Sequence, residues 1–245
     1  MIHIQTRKLF FVKDSFWYAS PQDIKGSSAA FFYACTEKTE LPSARCNESK
    51  TWFIDLSADL ETLKQNMAKG CRYDINRAAK EELIVKKNTD QQAFFDMYSD
   101  FVKSKVFSGD LDSYWKYIEN GTLYTCYWQE QLIAGLLVIQ DERHARWILS
   151  GSKRLEMHDK TLSKKFGYAN RLLIWEAIQD AKQCGRAIFD LGGYSDTEDR
   201  NDPEYRIAQF KRGFGGQAVT LYKYQKIYSP LLKLLKSLKK RLQSS

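Results

Sequence analysis

The chain has 245 residues, of which 43% are hydrophobic and 14% aromatic, a composition that excludes a disordered protein. Its longest apolar run, residues 132–139, is too short to cross a bilayer, and the N-terminus lacks the apolar region of a signal peptide, which predicts a cytoplasmic location. Of the net charge of +8, six charges lie in residues 226–245, so the rest of the chain carries only +2.

The first quarter of the chain predicts short strands followed by two helices. Runs rich in aromatic and β-branched residues occupy 9–12, 16–18, 29–34 and 51–56. Ser57 is predicted to cap the first helix, with Glu61 near the reciprocal position. After Gly70, the second helix covers about 71–82 and a strand covers 83–87. Arg72 and Asn76 share one face of that second helix and suit a phosphate or carboxylate, or else form an ordinary solvated face.

Residues 89–150 predict two helices and then three strands. The helices cover 89–105 and 110–120, with an aromatic stripe on the first that is typical of a core. The strands, separated by charged turns, cover 122–129, 131–140 and 145–150 and predict an antiparallel meander. Five cysteines without a C-x-x-C pair and three scattered histidines predict reduced thiols and no metal site.

A basic segment lies between the meander and the next helix. Residues 152–170 show no period, and their end is predicted to be a loop that opens a long helix. Free N–H groups at a helix start bind anions, so this loop is a predicted anion site. Its members are Lys164, Lys165, Gly167, Tyr168, Ala169 and Asn170.

A helix, a strand and two glycines form the stretch around which the chain is organised. The apolar period of 3.6 predicts a helix over 175–184, which Gly185 ends. The buried strand 187–191 then delivers Asp190 ahead of Gly192 and Gly193, where α/β proteins place ligands. The alternative is a tight turn in which Asp190 is only a cap. Residues 194–206 are polar and acidic and predict an exposed loop.

Three motifs, in this order along the chain, carry a resemblance to a known group of enzymes. They are "MAKGCRYDINRAAKEELIV", "WILSGS" and the run from "GYANRLLIWEAIQDAKQCGRAIFDLGG" to "FKRGFGG". Together they resemble the Fem-type and related GNAT-like acyltransferases, which include the peptidoglycan-bridge aminoacyltransferases and envelope-glycan N-acyltransferases. The similarity covers roughly residues 50–225.

The resemblance implies an α/β (α+β) fold with a GNAT-like mixed, mostly antiparallel sheet flanked by helices. It implies a smaller, degenerate GNAT-like lobe over 1–88, a catalytic lobe over 89–228 and a basic amphipathic helix over 229–245. It also implies a place for the coenzyme A pyrophosphate at the loop before Asn170, although the usual glycine-rich loop is represented here by Gly167 alone.

The resemblance and the strand-end position together suggest roles for the remaining candidates. Asp190 would orient or deprotonate an amine, and Lys211 would anchor an anion or stabilise an oxyanion, unless it is a surface lysine. The substrate-binding candidates are Arg72, Asn76, Ser150, Ser152, Gly192, Gly193 and Tyr194.

Three functions are compatible with the sequence. The first is an N-acyltransferase that moves an acyl group from acyl-coenzyme A, as co-substrate, to an amine on an amino sugar or another small-molecule or lipid-linked envelope precursor. The second is a Fem-type enzyme that uses aminoacyl-tRNA, which the small charge of the body does not favour. The third is a non-enzymatic module that binds a membrane surface or nucleic acid.

The C-terminal segment 229–245 is the other feature with a functional interpretation. Leucines recur in it at helical spacing among lysines, and Pro230 suits the first turn of a helix. Such a basic amphipathic helix lies on an anionic membrane surface or docks on the body of the protein. In the first case the protein is peripheral at the inner face of the membrane. The sequence does not specify the oligomeric state.

Overall fold

The computed structural model describes residues 1–22, 24, 26–104, 111–153 and 160–243. The chain forms two compact units, residues 1–50 with 219–245, and residues 51–218. Residues from both ends of the chain therefore belong to the first unit. The lobe predicted over residues 1–88 stays a prediction.

The first unit is built around a sheet. Its elements are β1 (Ile2–Lys8), β2 (Phe11–Trp17), β3 (Ala29–Cys35), the first half of β4 (Arg45–Asp55), most of β10 (Gln217–Ile227) and the helix α7 (Pro230–Gln243). The strand order is β1-β2-β3-β10-β4, in which β2 and β3 are parallel and β1 and β10 are antiparallel to their neighbours β2 and β3. Phe16, Phe32 and Tyr224 fill its core.

The strand predicted over residues 9–12 is wrong for residues 9 and 10, whereas residues 11 and 12 begin β2. Lys8 pairs with Phe11 in the β1–β2 register, so Leu9 and Phe10 form a two-residue turn between the strands. Leu9 adopts a φ of +54°, a conformation that favours glycine, asparagine or aspartate. Because two apolar residues occupy the turn, the composition gave no sign of it.

The second unit places helices on both faces of a sheet. Its elements are the end of β4, α1 (Leu60–Gln65), α2 (Lys69–Lys80), β5 (Ile84–Lys87), α3 (Gln91–Ser104), α4 (Leu111–Asn120), β6 (Thr122–Trp128), β7 (Gln131–Gln140), β8 (His144–Ser152), α5 (Lys160–Gln183), β9 (Ile188–Tyr194) and α6 (Pro203–Arg212). The strand order is β4-β9-β8-β7-β6-β5. The predicted meander β6-β7-β8 is antiparallel, β5 continues it, and β9 runs parallel to β8.

The two faces of this sheet have separate cores because successive side chains of a strand point to opposite faces. Tyr124 and Cys126 of β6 pack with the buried faces of α1, α2 and α5. Leu123, on the other face of β6, packs with Phe94 of α3 and Ile118 of α4. The fold is the mixed, mostly antiparallel sheet flanked by helices that the sequence predicted.

Three helix starts differ from the prediction. Asp59, not Ser57, caps α1, since its carboxylate accepts a hydrogen bond of 2.7 Å from the Thr62 N–H. The long helix α5 begins at Lys160, so the segment predicted as a loop before residue 170 is helical from there on, and residues 154–159 lie outside the described residues. The predicted acidic loop ends early, because Asp202 caps α6 and Pro203 occupies its first turn. No helix in the described part of the chain is long and apolar enough to cross a membrane.

Candidate functional site

The site is located where β8 and β9 run side by side. Their parallel register extends from His144 opposite Ile188 to Arg146 opposite Asp190. From that pair onward, β8 continues to Ser152 and β9 continues through its two glycines to Tyr194. The candidate residues therefore follow the last paired residues of two neighbouring parallel strands, where open α/β sheets commonly bind ligands.

Asp190 lies at this point and is completely buried. One carboxylate oxygen accepts hydrogen bonds from the Thr51 hydroxyl at 2.5 Å and the Gly192 N–H at 2.7 Å. The other oxygen pairs with the guanidinium of Arg146. Because both oxygens are occupied and none of the side chain is exposed, this geometry suits a residue that positions its neighbours.

Gly192 lies beside this ion pair, within β9. Its φ of +80° lies in the left-handed region, and a Cβ at this position would be 3.4 Å from the Trp147 carbonyl oxygen. The same Cβ would be 3.8 Å from Nζ of Lys211 and 3.9 Å from a guanidinium nitrogen of Arg146. Two cations thus converge on a backbone segment that has no side chain.

Lys211 is the chemically most distinctive residue of the site. It belongs to the last turn of α6, only 6% of it is exposed, and its ammonium group donates a hydrogen bond to the Gly193 carbonyl oxygen. Nζ also lies 5.2 Å from the centre of the Trp147 ring. Burial, assisted by the positive charge of Arg146, lowers the pKa of Lys211 to about 8, although the negative charge of Asp190 acts in the opposite direction.

A cavity of about 320 Å³ lies next to this group, and the Trp147 ring that Lys211 approaches belongs to a residue of its lining. Its walls come from β7, β8, α5 and α6: Gly135, Leu136, Trp147, Ser150, Gly151, Ser152, Asn170, Leu173, Ile174, Arg206, Ile207 and Phe210. Ile207 is 51% exposed. Most of the lining is apolar, and a few polar groups on β8 and α5 can orient a bound molecule.

Four of the predicted substrate-binding and donor-binding residues can be placed relative to this cavity. Ser150, Ser152 and Asn170 line it, and the Asn170 amide donates a hydrogen bond of 3.4 Å to the Ser152 hydroxyl. Tyr194 instead packs against Trp52, with ring centres 4.7 Å apart, and its hydroxyl accepts a hydrogen bond from Arg212. The binding roles stay predictions.

The remaining predicted donor-binding residues are internal to α5, so the predicted helix start there is wrong. Their N–H groups are not those of a free helix start, because α5 begins at Lys160. Lys164 is exposed, whereas Lys165 pairs with Glu81 at 3.0 Å and lies over the Trp128 ring. Gly167 is buried, Tyr168 is half-buried and Ala169 belongs to the core. A donor-binding role for these residues stays a prediction that rests on the resemblance alone.

Arg72 and Asn76 are not among the residues that line the cavity. The Arg72 guanidinium donates hydrogen bonds to the carbonyl oxygens of Gln65, at 2.7 Å, and Met67. It therefore stabilises the end of α1, where helix carbonyls lack partners. Asn76 is exposed on α2. Their role as ligands is an untested prediction.

Sequence reasoning missed the partners that define the site. Arg146 lies in β8 between Trp147 and the fully buried Ala145, and a charged residue between two apolar ones was the available signal. Thr51, Trp147 and Phe210 gave no comparable signal, because their importance depends on contacts with distant segments. Phe210 lies edge-on to Trp147, with ring centres 6.4 Å apart.

Several solved structures share this fold. The crystal structure of FemX matches with a TM-score of 0.65 at 10% identity, over 95% of this chain and 85% of that one. The structure of L-PGS from Bacillus licheniformis matches with a TM-score of 0.52 at 12% identity, over 84% and 70%. The C-terminal domain of a putative lysylphosphatidylglycerol synthetase from Agrobacterium fabrum matches with a TM-score of 0.52 at 12% identity, over 82% and 68%. No family model and no curated protein matches the sequence.

These likenesses establish the fold. The chain has a GNAT-like fold, as the sequence motifs predicted. Among these structures, FemX shares the fold over 95% of this chain.

Proposed function

We propose that the protein is an N-acyltransferase that moves an acyl group directly from acyl-coenzyme A to an amine on an amino sugar or another cell-envelope precursor. The observation that carries this proposal is the buried Lys211, held at the Gly193 carbonyl oxygen near the end of β9 and next to a wall of the cavity. A desolvated cation in a fixed position is suited to stabilising an oxyanion, since its attraction for the developing charge is little screened.

In the proposed reaction, the amine nitrogen attacks the thioester carbonyl carbon and forms the new C–N bond. The carbonyl oxygen becomes negative, and the Lys211 ammonium stabilises it. The C–S bond then breaks, and the departing thiolate takes up, directly or through water, the proton that the amine loses. No covalent acyl-enzyme is required.

Each neighbouring residue supports this role. Asp190 is a positioning residue, because it fixes Arg146 and the N–H of Gly192 while it is itself buried. The positive charge of Arg146 helps to lower the pKa of Lys211. The apolar cavity wall with Ser150, Ser152 and Asn170 would hold the acyl group or the acceptor.

A Fem-type reaction with aminoacyl-tRNA is the second candidate, and the likeness to FemX favours it. The charge distribution favours coenzyme A, because six of the eight net positive charges lie in residues 226–245 and leave +2 on the rest of the chain. Binding a tRNA requires several phosphate contacts over a broad basic surface. Lys211 would stabilise the oxyanion with either donor, although coenzyme A leaves as a thiolate and the tRNA leaves through a ribose oxygen that takes up the amine proton.

The proposal is tested by supplying purified protein with acetyl- and longer acyl-coenzyme A and a panel of amino-sugar acceptors, and separately with charged tRNA. We expect acyl transfer from the thioester and a loss of roughly 100- to 1000-fold in kcat for Lys211→Met. Lys69→Met, at an exposed position on α2, should leave kcat unchanged. Transfer from charged tRNA but from no thioester would establish the Fem-type alternative, and full activity of Lys211→Met would refute the role of that residue.

A further inference from the structure

The turn between β1 and β2 exposes two large apolar side chains in the first unit. Leu9 is 80% exposed and Phe10 is 90% exposed. Exposure of this kind at the tip of a hairpin leaves both side chains free to enter an apolar phase. Arg7, immediately before the turn, is also exposed.

The helix α7 exposes a second apolar group. Leu231, Leu234, Leu235 and Leu238 are between 45% and 57% exposed. At 100° per residue, these four leucines form a single stripe about 100° wide. The exposed Lys233 and Lys236 lie on the opposite face. The sequence places Lys239, Lys240 and Arg241 in the same helix and no acidic residue anywhere in 226–245.

The sheet brings the turn and the start of this helix to the same edge. Since β2 and β3 are parallel and β10 is antiparallel to β3, the beginning of β2 and the end of β10 lie at one end of the sheet. Hydrogen bonds join these points: the Ser28 N–H donates to the Val12 carbonyl at 3.1 Å, and the Tyr228 N–H donates to the Ser28 carbonyl at 2.9 Å. Pro230, the first residue of α7, follows two residues later.

The electrostatics of this edge favour a negatively charged partner. Lys13, the third residue of β2, and Lys226, near the end of β10, add to the charge of α7. The nearby carboxylate of Asp14 is 2% exposed and accepts hydrogen bonds from Gln5 at 3.0 Å and from the Ser27 N–H at 2.6 Å. It therefore presents little negative charge to a partner.

From this juxtaposition we propose that the hairpin edge, defined as the Leu9–Phe10 turn together with α7, docks on an anionic lipid bilayer. The apolar tips enter the interface, and the cations face the lipid headgroups. Both elements are needed because the apolar area of each alone is small. Each cation near the anionic surface raises the binding constant about fivefold and adds to the apolar contribution. This inference does not rest on the proposed function, since it involves none of the residues assigned to acyl transfer.

The test is sedimentation of the full chain with vesicles of phosphatidylcholine alone and of phosphatidylcholine with 30 mol% phosphatidylglycerol. We expect the unchanged chain to bind the anionic vesicles only. Binding should be at least tenfold weaker for Phe10→Ser, and also for the double variant Leu234→Ser with Leu238→Ser. The matched apolar control is Ile84→Ser, because Ile84 is 60% exposed on β5 of the second unit. Its binding should equal that of the unchanged chain.

Charge is tested in the same way. The pair Lys233→Glu and Lys236→Glu should weaken binding more than tenfold, whereas the pair Lys69→Glu and Lys80→Glu, exposed on α2, should change it by less than about fivefold.

Insertion has its own readout, which does not depend on any loss of binding. A tryptophan in Phe10→Trp should be quenched by brominated lipid more strongly than the six native tryptophans are. Equal sedimentation of the hairpin-edge and control variants would overturn the proposal. So would absence of vesicle binding combined with a concentration-dependent dimer, measured by sedimentation velocity, that the same substitutions abolish.

Discussion

Replacing Lys211 with methionine tests the electrostatic description of the site without any knowledge of the substrate. A methionine of similar length fills the same space but cannot be charged. The pKa of Lys211 is lowered from 10.5 to about 8, so the folded protein disfavours the ammonium form. At 1.36 kcal/mol for each tenfold change, this corresponds to roughly 3 kcal/mol of unfolding free energy that the native lysine forfeits below pH 8.

The sign of the pH dependence follows from proton binding. Between pH 8 and 10.5 the unfolded chain binds more protons at this lysine than the folded chain does, so the stability contributed by Lys211 rises with pH over that window. The free energy of unfolding of the unchanged protein minus that of Lys211→Met should be constant below about pH 8. It should rise by up to roughly 3 kcal/mol between pH 8 and 10.5, and level off above about pH 10.5. Other groups that titrate in this range are common to both proteins and cancel.

The measurement is urea unfolding, followed by tryptophan fluorescence, of both proteins from pH 7 to 10.5. Lys69→Met, at an exposed position, should give a curve parallel to that of the unchanged protein. If the curve of Lys211→Met is also parallel to that of the unchanged protein, Lys211 is not desolvated. The physical basis for its proposed catalytic role would then be removed.

Three further predictions concern the scaffold around the site. Asp190→Asn should lower the free energy of unfolding by about 3 to 5 kcal/mol, because it removes the carboxylate that pairs with the largely buried Arg146 guanidinium, and an unchanged melting temperature together with an unchanged kcat would contradict the positioning role. Gly135→Ala should cost about 1 to 3 kcal/mol, since the new Cβ would lie 2.3 Å from the ring of the fully buried Phe94, and calorimetric melting should show Phe94→Leu rescuing part of that loss in the double variant. Arg72→Met should destabilise the protein by about 1 to 3 kcal/mol in chemical unfolding while it leaves the KM of either substrate unchanged, because its hydrogen bonds go to backbone carbonyls; a raised KM would restore its role as a ligand.

The sequence by itself determined the elements whose signals are local. Alternation and charged turns predicted the three meander strands, and the 3.6-residue period predicted the helix that ends before Gly185. Leucine spacing and Pro230 predicted the terminal helix. The fold class also followed from sequence, but through resemblance of motifs, since no periodicity specifies how strands are ordered in a sheet. Where a start signal was ambiguous, as at Ser57 and Asp59, the prediction missed by two residues.

Tertiary structure decided the chemistry of the site. The contacts that bury Asp190 join it to Arg146, 44 residues away, and to Thr51, 139 residues away. Lys211 was indistinguishable in sequence from a surface lysine of an amphipathic helix, and only the packing of α6 against β9 and Trp147 removes it from water. A pKa depends on desolvation and on the charges that surround a group in space. Local sequence patterns specify neither, because the residues that set them come from separate segments that meet only in the folded chain.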